Sequence, residues 1–135
     1  MNQEGLSNIF KMVSESYTGD YFYRKPRIDY ALLNKYNSGV ICLSACLGGI
    51  YAGCYWAHRE EGETAVLEAM RDATKRMVSI LGDRWYGELQ WNNVPEQHEL
   101  NKYVIQMHKE FGIQLVSTAD SHYPSSEAWK DRELY

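Results

Sequence analysis

Two periods of apolar residues alternate along this chain and divide it into elements. Leu6, Ile9, Phe10 and Val13 recur at spacings of three and four, which predicts an opening helix over about residues 3–16. Asp29 is placed to cap a short helix carrying Leu32, Leu33 and Tyr36, and the Asn-Ser-Gly of residues 37–39 ends it. GVICLSACLGG (39–49) is short, apolar and bounded by glycines, which predicts a buried strand. A helix with a poor period is expected over about 49–60, bearing Tyr51, Tyr55 and Trp56. A clearer one covers about 63–81, where Val66, Met70, Ala73, Met77 and Ile80 form one stripe, Arg71, Lys75 and Arg76 lie opposite, and Gly82 supplies a stop. WYGELQW (85–91) reads as a strand. Pro95 suits the first turn of a helix over about 95–111 that buries Leu100, Val104, Met107 and Phe111 before Gly112, and IQLVSTADSHY (113–123) supplies the last strand.

Helix and strand alternating in this order imply right-handed crossovers and a parallel sheet or a barrel segment, hence an α/β fold. Three strands are few, because a parallel sheet needs helices on both faces or closure into a barrel. The chain is expected to be part of such a fold, with SEAWKDRELY (126–135) reading as a helix cut short.

Composition narrows the function classes. A chain of 135 residues, 44% of them hydrophobic, builds one ordinary core. A net charge of −4 gives no overall basic field for nucleic acid, so any DNA contact is local. The one dense basic patch is YRKPR (23–27), where Arg24, Lys25 and Arg27 cluster around Pro26; a solvated loop is the plain alternative to a nucleic-acid or interdomain contact. Neither a membrane span nor a secretory leader is visible, so a soluble, cytoplasmic chain with no membrane partner is expected. Cys42, Cys46 and Cys54 are an odd number of thiols at spacings unlike a zinc knuckle, which argues for reduced cysteines.

Chemistry enters at the strand ends. Alternation places Val116, Thr118, Asp120 and His122 on one face of the last strand, Tyr86, Glu88, Gln90 and Asn92 on one face of the middle strand, and Cys42, Ser44 and Cys46 together on the first. Glu88 in such a strand needs a polar partner or an open mouth to face. Cys46, Asp120 and His122 would then stand at the carboxyl ends of parallel strands, where β/α folds bind ligands. A thiolate, a carboxylate and an imidazole suit a divalent transition metal such as zinc. The plain alternative is an Asp–His pair bonded to each other or to water, and a cysteine that serves as a small hydrophobe. His58, His98 and His108 lie on predicted helices without matched partners, and no phosphate-binding glycine loop or nucleophile elbow is present.

The segments NQEGLSNIFKMVSESY, FYRKPRIDYALLNKY, GVICLSACLGG, GDRWYGELQ, PEQHELNKYVIQMHKEFGIQLVSTADSHY and DRELY, in this order, resemble the second half of the PHP (polymerase and histidinol phosphatase) domain at the amino end of bacterial DNA polymerase III alpha subunits. The resemblance implies part of a distorted seven-stranded β/α barrel whose carboxyl rim holds divalent metals, zinc foremost, with manganese or magnesium as alternatives. It implies that Cys46, Asp120 and His122 are metal ligands. The family's other ligands and its polymerase palm have no counterpart here, so residues 1–135 read as a partial PHP domain, an internal fragment or the product of a split frame.

The resemblance further implies a contribution to a metal-dependent phosphoesterase or 3′–5′ exonuclease site, with the remaining parts of the polymerase alpha chain as partners and DNA reached through the parent enzyme. No robust nuclease or polymerase activity is expected of this chain alone. The alternatives are a non-catalytic module that completes a barrel and a free-standing small phosphoesterase.

Overall fold

The computed structural model describes residues 2–132. Three parallel strands, β3 (Cys42–Leu43), β4 (Trp85–Gln90) and β5 (Gln114–Thr118), form a sheet in the order β3-β4-β5. Ahead of it come α1 (Gln3–Ser16), a small antiparallel ribbon of β1 (Phe22–Tyr23) and β2 (Lys25–Pro26), and α2 (Tyr30–Tyr36). Helices α3 (Ile50–His58) and α4 (Glu63–Leu81) connect β3 to β4, α5 (Pro95–Phe111) connects β4 to β5, and α6 (Trp129–Arg132) follows.

Stepping one strand at a time in one direction places every crossover helix on the same face of the sheet, which is the winding of a barrel rather than of a doubly wound sheet. The core confirms that placement. Trp85 and Leu89 of β4 bury themselves with Tyr51 and Tyr55 of α3, Met70 and Met77 of α4, and Leu100, Val104 and Met107 of α5. Gly87, between those two strand residues, has no room for a side chain: a Cβ there would lie 2.8 Å from Val104 and 2.9 Å from Leu115. Trp85 Nε1 donates to Tyr51 Oη (3.0 Å), which shares a hydrogen bond with Thr74 Oγ1 (2.7 Å), and Thr74 donates on to Met70 O (2.7 Å). The polar groups of Trp85, Tyr51 and Thr74 are therefore satisfied in sequence from strand to helix.

Local chemistry sets the helix ends. Asn2 and Asp29 accept from the backbone amides of Gly5 and Leu32, Pro95 opens α5, and Gly112 closes it in the left-handed region (φ +67°). Arg84 ties the segment before β4 to the α2–β3 connection, donating to Asn37 O, Val40 O and Asn37 Oδ1.

Two expectations need correction. The strand foreseen over 39–49 contracts to Cys42–Leu43, because Ala45 takes a left-handed conformation (φ +63°) and residues 46–49 turn. The last strand ends at Thr118 rather than 123, since Asp120 is also left-handed (φ +51°). Helix α1 forms over the foreseen span, yet it buries Gly5, Asn8, Met12 and Ser16 and leaves Leu6, Ile9, Phe10 and Val13 exposed, with Phe10 at 61%.

Candidate metal centre

On the face of the sheet away from the helices the polar residues of β4 form a row. Register sets Glu88 beside Val116 and Gln90 beside Thr118. Glu88 is buried, and its Oε1 accepts from Thr118 Oγ1 (2.5 Å) and Gln90 Nε2 (3.1 Å), which supplies the polar partners its position demanded. Its amide donates to Ser44 Oγ (2.8 Å), so a side chain stands in for the ladder where β3 stops early. Asn101 on α5 holds the end of β4, donating to Gln90 O (2.7 Å) and accepting from Gln90 N (3.4 Å). Gln90 is 2% exposed and its Oε1 has no hydrogen-bond partner among the described residues.

One residue pair further along, at the carboxyl ends, Asn92 Nδ2 donates to Asp120 Oδ2 (3.2 Å). The polar row thus continues past the strand, although Asp120 joins it from a left-handed turn and not by strand alternation. A non-glycine residue in that region is uncommon, and Asp is among the side chains that tolerate it. Asn92, Asp120, His122 and Tyr123 line an open cleft of about 490 Å3.

His122 Nδ1 lies 2.7 Å from the backbone oxygen of Asp120. A carbonyl only accepts, so Nδ1 carries the proton, and Nε2 is the lone-pair nitrogen whenever the ring is neutral. Metal-bound histidines are oriented by this kind of bond to a carbonyl or carboxylate. Asp120 Oδ1, 3.9 Å from Nδ1, takes no hydrogen bond among the described residues. The pair therefore offers one carboxylate oxygen and one imidazole nitrogen, a donor set that fits a zinc-type ion as two of its ligands.

Cys46 does not join them. Cys42 packs with the helix-side core in register with Trp85, so regular alternation would turn Cys46 toward the helices as well; left-handed Ala45 interrupts the alternation. Gly49 keeps the turn tight: its amide donates to Cys46 O (2.8 Å), and a Cβ there would sit 2.0 Å from Ser44 O. Among the described residues no three His, Cys, Asp or Glu side chains gather closely enough to hold a metal. Burial pushes the Cys42 and Cys54 thiols up, which suits packing roles. His58 lies 3.1 Å from Glu61, His108 Nδ1 bonds Ile113 O (2.7 Å), and His98 is exposed.

Arg24, Lys25 and Arg27 are exposed on the β1–β2 ribbon, apart from this row. Asn101 was not foreseen from the sequence, whereas Asn92 was placed on one face with Glu88 and Gln90 but given no role. The signal at Asn92 was the spacing of two that links Glu88, Gln90 and Asn92 through an otherwise aromatic and aliphatic strand.

The family profile described as PHP domain matches residues 1–92. The chain belongs to the PHP domain family. That match includes Cys46 and stops at Asn92, before Asp120 and His122. Similarity to individual relatives runs further. The chain is 39% identical over 126 residues to the DNA polymerase III subunit alpha of Aquifex aeolicus, covering 93% of this chain and 10% of that protein. It is 34% identical over 127 residues to the subunit of the same name from Borreliella burgdorferi (93% and 10%), and 31% identical over 130 residues to that of Thermus aquaticus (96% and 10%). This PHP chain thus spans about a tenth of the length of the relatives it matches. A mixed α/β unit with a three-stranded parallel sheet and flanking helices accords with part of a PHP barrel. No helix among its described residues is long and apolar enough to cross a membrane.

Proposed function

We propose that this chain contributes part of a metal-dependent phosphoesterase site to a replicative DNA polymerase of the polymerase III alpha type, acting as a 3′–5′ exonuclease on DNA. The observation that carries the reading is the Asp120–His122 pair at the carboxyl rim, where the bond from Nδ1 to the Asp120 carbonyl leaves Nε2 as the ring nitrogen available to a metal. Asp120 Oδ1 and His122 Nε2 would hold the metal, zinc foremost and manganese or magnesium otherwise, and Cys46 would reach it as a third ligand once the turn around Ala45 rearranges. Asn92 keeps the Asp120 carboxylate turned by occupying Oδ2. A bound ion would supply the charge that polarises a phosphodiester oxygen and lowers the pKa of an attacking water. Three donors are too few for a metal cluster, so remaining parts of a polymerase alpha chain are the partners that complete it, and DNA is reached through that assembly.

A second reading, a non-catalytic module that completes a PHP barrel, is favoured by the separation of Cys46 from the pair. Calorimetric zinc titration of the chain and of Asp120→Ala, His122→Ala and Cys46→Ala separates the two. The metal site requires at least a tenfold loss of affinity in the first two variants. Equal zinc affinity in all four proteins sinks it. The nuclease step is tested by co-expressing the chain with the rest of a polymerase alpha chain and following a 3′-labelled oligonucleotide, with the same variants as controls.

A further inference from the structure

The β1–β2 ribbon concentrates positive charge in one short stretch of chain. Lys35, Arg59, Arg71 and Lys75 each lie within ion-pair distance of a carboxylate. Arg24, Lys25 and Arg27 sit within four residues of one another in a chain of net charge −4, and none forms an ion pair with a carboxylate among the described residues. Arg27 Nη2 donates to the backbone oxygen of Asp20 (3.4 Å), and the three cations, clustered and exposed, suit an anionic partner.

Aromatic rings accompany the charge. Tyr23 is 60% exposed, and the guanidinium carbons of Arg24 and Arg27 each lie 5.4 Å from its ring centroid. Tyr17, 61% exposed, stacks on Phe22 with centroids 6.0 Å apart and planes at 23°. Successive strand residues point to opposite faces, so Phe22 and Tyr23 flank the ribbon on its two sides. Arg24 stands between them at the apex, where Tyr23 pairs with Lys25. It holds a left-handed conformation (φ +60°) that glycine adopts at lower cost, and a long cation kept there against its backbone preference points to a role for the side chain.

We propose that this ribbon is a contact site for single-stranded nucleic acid, with Arg24, Lys25 and Arg27 on the phosphates and Tyr17, Phe22 and Tyr23 as stacking surfaces for bases. Unpaired bases expose the faces that such rings take, whereas a duplex hides them, and three cations on an acidic chain are too few to hold a duplex by charge alone. The site is separate from the Asp120–His122 cleft and uses no metal, so its test stands or falls independently of the phosphoesterase reading.

The test is fluorescence anisotropy of the whole chain with labelled oligothymidylate of about 12 nucleotides, within the length such sites cover, in the presence of a chelator. Three phosphate contacts predict that log K falls by about 2 per decade of salt. Neutralising Arg24, Lys25 and Arg27 together to Gln should weaken binding at least tenfold and bring the salt slope close to zero. Tyr23→Leu should weaken it about fivefold or more while keeping the slope, as stacking is lost and charge is not. Circular dichroism of each variant checks the fold, which changes at exposed side chains leave intact. The Arg24→Lys, Arg27→Lys double variant keeps the charge and serves as the conservative control, retaining the slope. Equal affinity of the parent and the Gln variant, duplex binding as tight as single-strand binding, or displacement by polyglutamate as effective as by unlabelled oligothymidylate would each overturn the proposal.

Discussion

The unit from β3 to β5 and the amino-terminal unit of α1, the ribbon and α2 use their apolar residues in opposite ways. In α4 and α5 the stripe predicted by spacing is largely the stripe that is buried: Val66, Met70, Ala73 and Met77 on one, Leu100, Val104 and Met107 on the other. In α1 the stripe of Leu6, Ile9, Phe10 and Val13 faces outward, and the small or polar Gly5, Asn8 and Ser16 are buried instead with Met12. Gly5 meets the backbone of Gly39 so closely that a Cβ would lie 2.0 Å from its oxygen, and Asn8 Nδ2 donates to Ser38 O (2.9 Å). Periodicity thus identifies a helix in both units. Which face turns inward is decided by the neighbour: a layer of large side chains selects the apolar stripe, and a close-lying backbone selects glycine and hydrogen-bonding groups.

The largest expected effect tests the first half of that contrast. Trp85→Ala removes a side chain that is 1% exposed, edges onto Tyr51 at 73°, and feeds the bond series through Thr74. Large-to-small changes of this kind cost about 3–5 kcal/mol. Urea unfolding monitored by circular dichroism should register that loss, and a value under about 1 kcal/mol would mean the core is not the one described.

Asn101→Ala comes next. It deprives both backbone groups of Gln90 and the Nε2 of Gln97 of their partner, and leaving buried groups unpaired in this way costs about 1–3 kcal/mol in all where neighbours relax. The same urea experiment measures it. Because Gln90 lies one pleat before Asn92, this variant also tests whether the polar row is a single mechanical unit. If so, zinc affinity at Asp120 and His122 falls along with stability.

Asp29→Ala takes the contrast to the amino-terminal unit. It removes the acceptor for Leu32 N (2.8 Å) at the start of a seven-residue helix, at about 1 kcal/mol. Asp29→Asn should recover most of that loss, since Asn caps as well.

The three longest helices were legible almost to the residue from their repeated apolar stripes, and α4 and α5 also from the stops at Gly82 and Gly112. The sheet's parallel order was legible from the alternation of elements. The exits of β3 and β5 were not, since the turns there fall on Ala45 and Asp120, and no period marks a non-glycine residue that goes left-handed. The consequence for the rim is specific. Asp120 and His122 do lie side by side, but through a local bond from imidazole to carbonyl rather than through a shared strand face. Cys46 was set with them as the carboxyl end of a strand, but that strand stops at Leu43 and the chain turns at Ala45.

A smaller effect, whose pH dependence falls in acid, concerns how α4 and α5 are joined at their surface. Arg71 donates from Nε and Nη2 to the two Glu110 oxygens (2.7 and 2.8 Å), and this bond, with a second from Gln106, holds the Glu110 carboxyl down at about 2. A carboxylate whose folded pKa is depressed adds stability in full above its unfolded value, near 4.5, and loses it as pH falls toward about 2. Thermal midpoints measured between those limits should therefore fall with a shallower slope in Arg71→Ala than in the parent. Above that window the two proteins differ by the whole contribution of the pair, which is modest because the pair is solvent-screened, and the difference closes in acid.

The smallest expected effect bears most directly on the opening contrast. Phe10→Ser changes a residue 61% exposed in the middle of α1, and Ser and Phe have similar helix propensities, so neither packing nor backbone preference favours the parent by much. The expected change in urea stability is within about 0.5 kcal/mol, as for other surface sites. A loss of 2 kcal/mol or more would place Phe10 with Trp85 among buried side chains and erase the distinction between the two units. Met12→Ser, two residues on and 5% exposed, provides the internal comparison. It should cost several times more than Phe10→Ser, because Met12 packs against Leu32 and Val40 while the most apolar residues of this helix face outward.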